Sequence, residues 1–255
     1  MAGQFGKLGW VPDLPDHRDQ VYAAPMPTLA ALPSKVDLRP KCPKEVYDQG
    51  QLGSCTGNAI AGAIEFDLIK QGAHAFTPSR LFIYYNERVI EHTVSSDSGA
   101  QIRDGVKAVN KQGAPPEKLW PYDIAKFKDK PSADVYGAAA QHKVSSYQRV
   151  ARSLSQTKGC LAAGFPFVFG FTVYESFESD AVAKSGIVPM PSSNESVLGG
   201  HAVLAVGYDD EQQRFIVRNS WGDKWGQKGY FTLPYAYLLD GNLSDDFWTL
   251  RVVSA

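Results

Sequence analysis

The sequence has few cysteines and histidines, almost no net charge and no long apolar run. Its 255 residues include three cysteines and five histidines, and the formal net charge is −1. Such a balance gives no electrostatic footprint for nucleic acid or an anionic membrane surface. The apolar runs fall short of the ~20 residues that a membrane-spanning helix needs. We therefore expect neither a nucleic-acid-binding protein nor a membrane protein.

The N-terminus also lacks a recognisable export signal. Met1 to Lys7 contain no apolar stretch after a basic start, so no secretory signal peptide is visible. The sequence leaves a cytoplasmic location and export by a non-classical route both open. The histidines show no ligand spacing with cysteines or carboxylates, so we expect no metal site and no cofactor.

What the sequence does contain is a cysteine in a distinctive setting. Cys55 ends the string Gln49-Gly-Gln-Leu-Gly-Ser-Cys and directly precedes an apolar run with helical spacing. Unpaired N–H groups at a helix N-terminus favour the thiolate, which is the reactive form of cysteine. A lone cysteine before a helix is more often a small buried hydrophobe. A nucleophilic role therefore requires partners elsewhere in the chain.

Two later strings supply those partners. The first is Gly-Gly-His201-Ala-Val-Leu-Ala-Val-Gly-Tyr, and the second is Val-Arg-Asn219-Ser-Trp221-Gly. Taken singly, they fit a satisfied strand histidine, a strand-end cap and a core aromatic. In the order Cys, His, Asn they match the pattern of a papain-like peptidase. The chain resembles the papain family of cysteine peptidases, and its short leader resembles that of some bacterial members.

The resemblance implies a role for each of these residues. Cys55 would be the nucleophile, and His201 would hold its proton and return it to the leaving amine. Asn219 would orient the imidazole ring, while Trp221 would cover that hydrogen bond from water. Gln49 would point its side-chain N–H, beside the backbone N–H of Cys55, at the oxygen of the tetrahedral intermediate. By itself Gln49 also fits an ordinary turn residue.

The resemblance also implies where a substrate would bind. In the family, a Gly-Gly segment offers backbone groups to an extended peptide. The nearest string here is Asp97-Ser-Gly99-Ala, so Gly99 is the candidate, and a plain loop turn remains an alternative. Gly200 stands where papain has Asp, and Thr56 stands where most relatives have Trp. Both departures should change the cleft wall, and Gly200 is a second candidate for substrate binding.

The remaining two cysteines admit two interpretations. If Cys55 is a free nucleophile, Cys42 and Cys160 are the candidates for a disulfide bond. Two reduced thiols fit the sequence equally well, because separation along the chain says nothing about the Cα distance that a disulfide requires.

An α+β fold follows from the resemblance, with a helical left lobe, an antiparallel β-barrel-like right lobe and the active-site cleft between them. The sequence pattern predicts helices from Cys55 to Gly72, from Thr77-Pro78 to Val89, from Ile102 to Lys111 and around 153–163. It predicts strands near 165–173, 201–208, 214–219, 229–233 and 247–253.

Residues 1–31 are rich in Pro, Gly and Asp and lack regular periodicity, which predicts an extended or irregular segment. The resemblance implies that they form a short pro-segment before a catalytic domain at 32–255, mainly helical over about 32–135 and mainly β over about 136–255. An extended proline-rich segment loses little entropy on docking, so we expect it to lie across the cleft as a built-in inhibitor. A flexible tail is the alternative.

Three functions fit this set of residues. The first is an endopeptidase that hydrolyses peptide or protein substrates through an acyl-thioenzyme and is held latent by its own N-terminal segment. The second uses the same triad as a deamidase or transpeptidase. The third is a catalytically inactive peptide-binding module, which the presence of every catalytic residue disfavours. We expect a monomer.

Overall fold

The computed structural model of the protein describes residues 5–253. Its helices are α1 (Met26–Ala30), α2 (Cys55–Lys70), α3 (Arg80–Ile90), α4 (Ile102–Gln112), α5 (Ala133–Ala139), α6 (Leu154–Ala162), α7 (Asp180–Ser185) and α8 (Tyr235–Leu239). Its strands are β1 (Val21–Tyr22), β2 (Lys35–Asp37), β3 (Val144–Val150), β4 (Phe167–Tyr174), β5 (Val197–Asp209), β6 (Arg214–Arg218), β7 (Tyr230–Pro234) and β8 (Ser244–Val253).

The strands form one sheet that does not close on itself. Seven of them follow the order β1-β3-β8-β4-β5-β6-β7, and β2 pairs with β5 beside this path. The pairs are antiparallel apart from β1 with β3, which is parallel. Within residues 5–253 the two end strands do not pair, so the predicted barrel-like lobe is an open sheet. The α+β class predicted from the sequence is confirmed.

Helix α2 lies between the other helices and the sheet. It packs against α3 and α4 on one side and against β5 and β8 on the other. Because it is enclosed in this way, nearly all of its residues are buried rather than one stripe alone. The predicted helix is therefore present, and it begins at Cys55 itself.

Helix α3 begins later than the sequence pattern predicts. The expected cap was Thr77 followed by Pro78, but the helix starts at Arg80. Ser79 is the N-cap, because its Oγ accepts a hydrogen bond from the backbone N–H of Phe82 at 3.2 Å. The predicted cap was wrong by two residues, since Thr77 and Ser79 both have side-chain oxygens and only the folded geometry selects between them.

The other predicted elements lie close to their expected bounds. Helix α4 ends at Gln112, and Gly113 follows with a φ of 81°, a conformation that glycine adopts without strain. Ser153 caps α6, and its Oγ accepts from the N–H of Gln156. Strand β5 begins before the predicted residue 201 because its first residues also pair with β4.

The N-terminal region has more regular structure than predicted. Val21–Tyr22 pair with Arg149–Val150 as a parallel two-residue strand, and Met26–Ala30 form a short helix. Residues 5–20 belong to no helix or strand, in line with the extended or irregular segment that was expected. The division into a pro-segment at 1–31 and a catalytic domain at 32–255 remains a prediction, and residues 1–4 lie outside the described residues.

No helix in residues 5–253 is both long enough and apolar enough to cross a lipid bilayer.

Candidate active site

The thiol of Cys55 is fully buried at the first turn of α2. Burial raises its pKa to about 12, although hydrogen bonds from the backbone N–H groups of Ala202, Gly9 and Thr56 act in the opposite direction. The helix N-terminus was expected to favour the thiolate, but removal from water has the larger effect here. Burial therefore favours the neutral thiol in this arrangement.

His201 lies on β5 and is also fully buried. Its Nε2 shares a hydrogen bond of 2.8 Å with Oδ1 of Asn219. The Trp221 ring stacks on the imidazole, with ring centroids 4.9 Å apart and planes 26° apart. Burial lowers the pKa of His201 to about 4, and the bond to Asn219 only partly offsets that effect.

The structure brings the cysteine and histidine segments to one place. Ala202 directly follows His201, and its N–H hydrogen-bonds toward the Cys55 sulfur. Nδ1 of His201 has no hydrogen-bond partner within residues 5–253, and the thiolate–imidazolium pair remains a prediction. Burial shifts both pKa values toward the neutral forms, the thiol's upward and the imidazole's downward.

Gln49 is buried and its side-chain amide is held at both ends. Nε2 donates to the carbonyl oxygens of Lys7 at 2.8 Å and Leu52 at 3.0 Å. Oε1 accepts from the hydroxyl of Ser220 at 2.6 Å. Because a hydroxyl donates to Oε1, the amide must present its N–H groups to Lys7 and Leu52.

Ser220 is a functional candidate that the sequence reasoning missed. Besides its bond to Gln49, its backbone N–H donates to Oδ1 of Asn219 at 2.9 Å. It thereby links the side-chain amide of Gln49 to the side-chain amide of Asn219. Its position directly after Asn219 was the available signal, but a serine hydroxyl in a loop carries no specific pattern by itself.

Tyr122 and Arg80 support the loop that carries Gln49. The Tyr122 hydroxyl donates to the Gln49 carbonyl at 3.0 Å and shares a hydrogen bond of 2.5 Å with the Ser54 hydroxyl. Arg80 donates to the carbonyl of Asp48 and forms an ion pair with Glu117. These contacts tie residues 48–54 to the helical side of the site.

The N-terminal segment, defined here as residues 5–20, lies between the two predicted substrate-binding glycines. Gly9 and Trp10 both donate backbone N–H groups to the carbonyl of Gly200, at 3.0 and 2.9 Å. On the opposite wall, the N–H of Ala100 donates to the carbonyl of Gly9 at 2.8 Å, and Val11 donates to the carbonyl of Ala100. The segment thus pairs with the backbone on both sides of the site.

Glycine is required at both walls because the segment approaches so closely. A Cβ at Gly99 would lie 2.1 Å from the carbonyl oxygen of Gly9, and the φ of Gly99 is 73°. A Cβ at Gly200 would lie 2.5 Å from the carbonyl oxygen of Trp10. Gly99 and Gly200 therefore form backbone surfaces that an extended chain can contact directly.

A match to a known family spans most of the chain. The family profile described as papain family cysteine protease matches residues 32–237. The chain belongs to the papain family of cysteine proteases. Its class is accordingly that of a hydrolase.

Individual members of the papain family are similar to this protein over most or nearly all of its length. An uncharacterised peptidase C1-like protein of Acanthamoeba polyphaga mimivirus is 44% identical, over 97% of this chain and 87% of that protein. The crystal structure of xylellain, a cysteine protease from Xylella fastidiosa, is 46% identical with a TM-score of 0.92, covering 99% of this chain and 98% of that chain. A cathepsin B-like protein of Giardia intestinalis is 29% identical, over 83% of this chain and 73% of that protein. These similarities confirm the papain-like fold that the sequence predicts.

Thr56, a departure from the papain-family pattern, has a buried partner. Its hydroxyl donates to Oε2 of Glu87 at 2.7 Å, and Glu87 on α3 is fully buried. Burial raises the pKa of Glu87 well above its ordinary value. The small side chain next to Cys55 therefore fastens the start of α2 to α3.

The other cysteines do not form the disulfide bond that was one of the two interpretations. Cys42 and Cys160 are both free and buried. The Cys42 thiol donates to the carbonyl of Leu38, and the Cys160 thiol donates to the carbonyl of Phe165. Burial raises the pKa of each to about 11, so both are protonated thiols at neutral pH.

Within residues 5–253, no group of three or more His, Cys, Asp or Glu side chains is arranged to hold a metal ion.

Proposed function

We propose that this papain-family protease hydrolyses peptide bonds in peptide or protein substrates through an acyl-thioenzyme. One observation carries the proposal: the carbonyl oxygen of Lys7, a peptide carbonyl, accepts a hydrogen bond from Gln49 Nε2 beside Cys55 and the His201–Asn219 pair. A substrate carbonyl in the same place would meet a donor that is fixed before reaction begins. Such preorganised donors stabilise the charge that develops on the carbonyl oxygen.

The proposed reaction divides peptide hydrolysis into two steps. His201 takes the proton of the Cys55 thiol as the sulfur attacks the carbonyl carbon. The electron pair of the C=O bond moves to the oxygen, which Gln49 and the backbone N–H of Cys55 would bind. His201 then gives its proton to the leaving amine as the C–N bond breaks. Water next attacks the thioester while His201 takes a proton from it. The C–S bond then breaks, the carboxylic acid leaves, and His201 returns the proton to the sulfur, which restores the thiol.

Asn219 and Trp221 would act on His201 rather than on the substrate. The Nε2 bond to Asn219 fixes the ring plane and leaves Nδ1 free to face the cysteine. The stacked Trp221 ring keeps water from that bond, which strengthens it. The proposed catalytic set is Cys55, His201 and Asn219, with Gln49 as the oxyanion donor and Trp221 in support.

We further propose that residues 1–31 act as a pro-segment that keeps the catalytic domain at 32–255 latent. Two kinds of contact support this proposal. Gly9 and Trp10 occupy backbone groups of Gly200 that a substrate would use, and Lys7 occupies the amide of Gln49. The side chains of Cys55 and His201 are also shielded from water, which favours the neutral thiol and the neutral imidazole over the reactive ion pair.

Two ion-paired and hydrogen-bonded anchors support the same proposal. Lys7 pairs with Asp97 at 2.5 Å, near Gly99 on the helical wall. Farther along, Arg103 on α4 forms an ion pair with Asp19 and donates its backbone N–H to Asp13. The segment is thus fastened on both sides of the residues that cover the thiol.

The test of peptidase function is active-site labelling combined with turnover. The full chain is treated with a thiol-directed epoxysuccinyl reagent, and intact mass and hydrolysis of a fluorogenic peptide are followed. We expect one label per chain and matching loss of turnover, with both label and turnover absent in Cys55→Ala. Cys42→Ala and Cys160→Ala are the matched controls and should retain both. Labelling that persists in Cys55→Ala would contradict the proposal, and transfer of the acyl group to an added amine instead of water would indicate a transpeptidase.

A further inference from the structure

Glu87 carries a buried carboxyl group that lies behind the nucleophile and has no part in the proposed reaction. It belongs to α3 and is fully buried. Its Oε2 accepts a hydrogen bond of 2.7 Å from the hydroxyl of Thr56, the residue that follows Cys55. Its Oε1 has no hydrogen-bond partner within residues 5–253. The bond from Thr56 is thus the contact that connects this carboxyl to the active site.

The space around the Glu87 carboxyl depends on a glycine of α4. A Cβ at Gly105 would lie 2.4 Å from Oε1 of Glu87 and 2.3 Å from Cδ1 of Ile60 on α2. A side chain at position 105 would therefore occupy the place of the carboxyl. Glycine at this point of α4 leaves the room that Glu87 needs beside α2.

The charged groups around Glu87 do not neutralise it. Arg88 follows it on α3, but the guanidinium donates to backbone carbonyls, those of Tyr84, Val94, Ser96 and Phe127. The other titratable groups that face it are Glu91 on α3, Asp104 on α4 and the thiol of Cys55 on α2. Burial, with smaller contributions from Glu91 and Asp104, raises the pKa of Glu87 well above its ordinary value and favours the neutral acid.

Thr56 connects this carboxyl to the reacting sulfur. Its backbone N–H hydrogen-bonds toward the sulfur of Cys55, while its hydroxyl donates to Glu87. Ser54, the N-cap residue of α2, makes no side-chain cap bond to the N–H groups of the first turn. Because the usual cap bond is missing, the hydrogen bond between Thr56 and Glu87 fastens this turn to α3 instead.

We propose that Thr56 and Glu87 are positioning residues, whose hydrogen bond holds the first turn of α2 in the orientation that catalysis requires. The inference rests on the proposed peptidase function. The turn carries two donors: the N–H of Cys55, which would bind the oxyanion, and the N–H of Thr56, which faces the sulfur. A neutral carboxyl supplies the acceptor without a negative charge behind the thiolate, since a charged Glu87 would raise the pKa of the Cys55 thiol further.

Three single variants of the full chain separate the hydrogen bond from the size and charge of the side chains. Thr56→Val keeps nearly the same shape without the hydroxyl, so kcat on a fluorogenic peptide should fall about tenfold or more while KM changes less than about twofold. Thr56→Ser retains the hydroxyl and should recover most of kcat. Glu87→Gln retains a neutral acceptor, so its kcat and the pH dependence of its kcat/KM should match those of wild type.

Two results would overturn the assignment. One is equal kcat in wild type and Thr56→Val. The other is a loss of kcat in Glu87→Gln as large as that in Thr56→Val, or a shift of its pH profile toward acid. Either of these would show that the proton or charge of Glu87 matters, rather than the hydrogen bond that it accepts.

A double variant separates positioning from stability. Thr56→Val combined with Glu87→Met replaces both partners by apolar side chains and leaves no buried carboxyl without a donor, so it should regain much of the melting temperature lost in Thr56→Val alone. Its kcat should stay low, because the first turn of α2 is still unfastened. Recovery of kcat together with the melting temperature would show that the pair only stabilises the fold.

The alkylation rate of Cys55 measures the same effect without peptide hydrolysis. Followed by intact mass, alkylation should be slower in Thr56→Val than in wild type and Glu87→Gln, because the N–H that faces the sulfur is less well placed. If this difference is seen but no peptide is hydrolysed, the positioning assignment stands and the peptidase function fails. If peptides are hydrolysed and Thr56→Val matches wild type in both measurements, the peptidase function stands and the positioning assignment fails.

Discussion

Gly9 lies so close to Gly53 that a Cβ on Gly9 would stand 2.0 Å from the carbonyl oxygen of Gly53. The contact is between two backbones, one in the N-terminal segment and one in the loop that leads to Cys55. Both partners in this contact are backbone atoms, so no flexible side chain can move aside to make room for a methyl group. The docked position of the segment therefore depends on glycine at residue 9.

This contact leads to a prediction about latency. Gly9→Ala should displace the segment from the site and raise the kcat/KM of the full chain on a fluorogenic peptide about tenfold or more, since each ~1.4 kcal/mol of lost docking free energy changes the open population about tenfold. Gly137→Ala is the matched control, because a Cβ there meets no heavy atom within 4 Å. Equal activity in wild type, Gly9→Ala and Gly137→Ala would show that the segment does not inhibit.

The reactivity of Cys55 should depend on pH in a manner set by the covering segment. With the thiol pKa raised to about 12, the thiolate is the minor form at neutral pH, and its fraction grows with each pH unit toward that value. We expect alkylation of Cys55 in wild type to accelerate about tenfold per unit from pH 7 to 10 without a plateau. Gly9→Ala should react faster at pH 7, because water then reaches the thiol and imidazole. The rates are measured by mass spectrometry of the Cys55 peptide, and a plateau near neutral pH in wild type would contradict the expected neutral pair.

Removal of the amide that orients His201 should impair turnover more than binding. In Asn219→Ala the imidazole loses its 2.8 Å hydrogen bond and with it the fixed ring plane. We expect kcat to fall about a hundredfold with a smaller change in KM, in line with the effect of losing a positioned base. Asn242→Ala, in an exposed turn, serves as the control and should keep wild-type kinetics. Similar losses in both variants would point to a general effect on folding.

Reducing agent should not change the stability of the protein. Cys42 and Cys160 are both free, buried thiols, so there is no bond to reduce between them. Loss of a native disulfide typically costs about 2–5 kcal/mol, which would be visible as a lower melting temperature. We expect identical melting curves with and without dithiothreitol, and a fall of several degrees would mean that a disulfide forms.

The cap of α3 provides a test of the corrected helix start. Ser79→Ala removes the bond to the N–H of Phe82 and a second bond to the carbonyl of Trp120, so unfolding should become easier by about 1 kcal/mol. Ser132 is the N-cap of α5 but makes no side-chain cap bond, so Ser132→Ala should cost less. Denaturant titration of both variants measures the difference. Equal costs would show that the Ser79 hydroxyl does not stabilise the helix.

Local patterns predicted the elements that depend mainly on nearby residues. Helix α2 follows from apolar residues at helical spacing, and the end of α4 follows from a glycine at position 113. The choice between Thr77 and Ser79 could not be made in the same way, because both carry a side-chain oxygen. The small helix at Met26–Ala30 was missed, since the prolines around it favour irregular structure.

The amino-acid sequence by itself determined the α+β class, the family and the candidate residues Cys55, His201, Asn219 and Gln49, because each lies in a short string whose order along the chain carries the information. The tertiary structure alone decided that two cysteines stay unpaired, that Ser220 links the two amides, and that residues 7–11 cover the thiol. It also decided the direction in which the pKa values of Cys55 and His201 shift. A pKa depends on the water and the charges around a group, and burial beneath the N-terminal segment is a property of the folded chain.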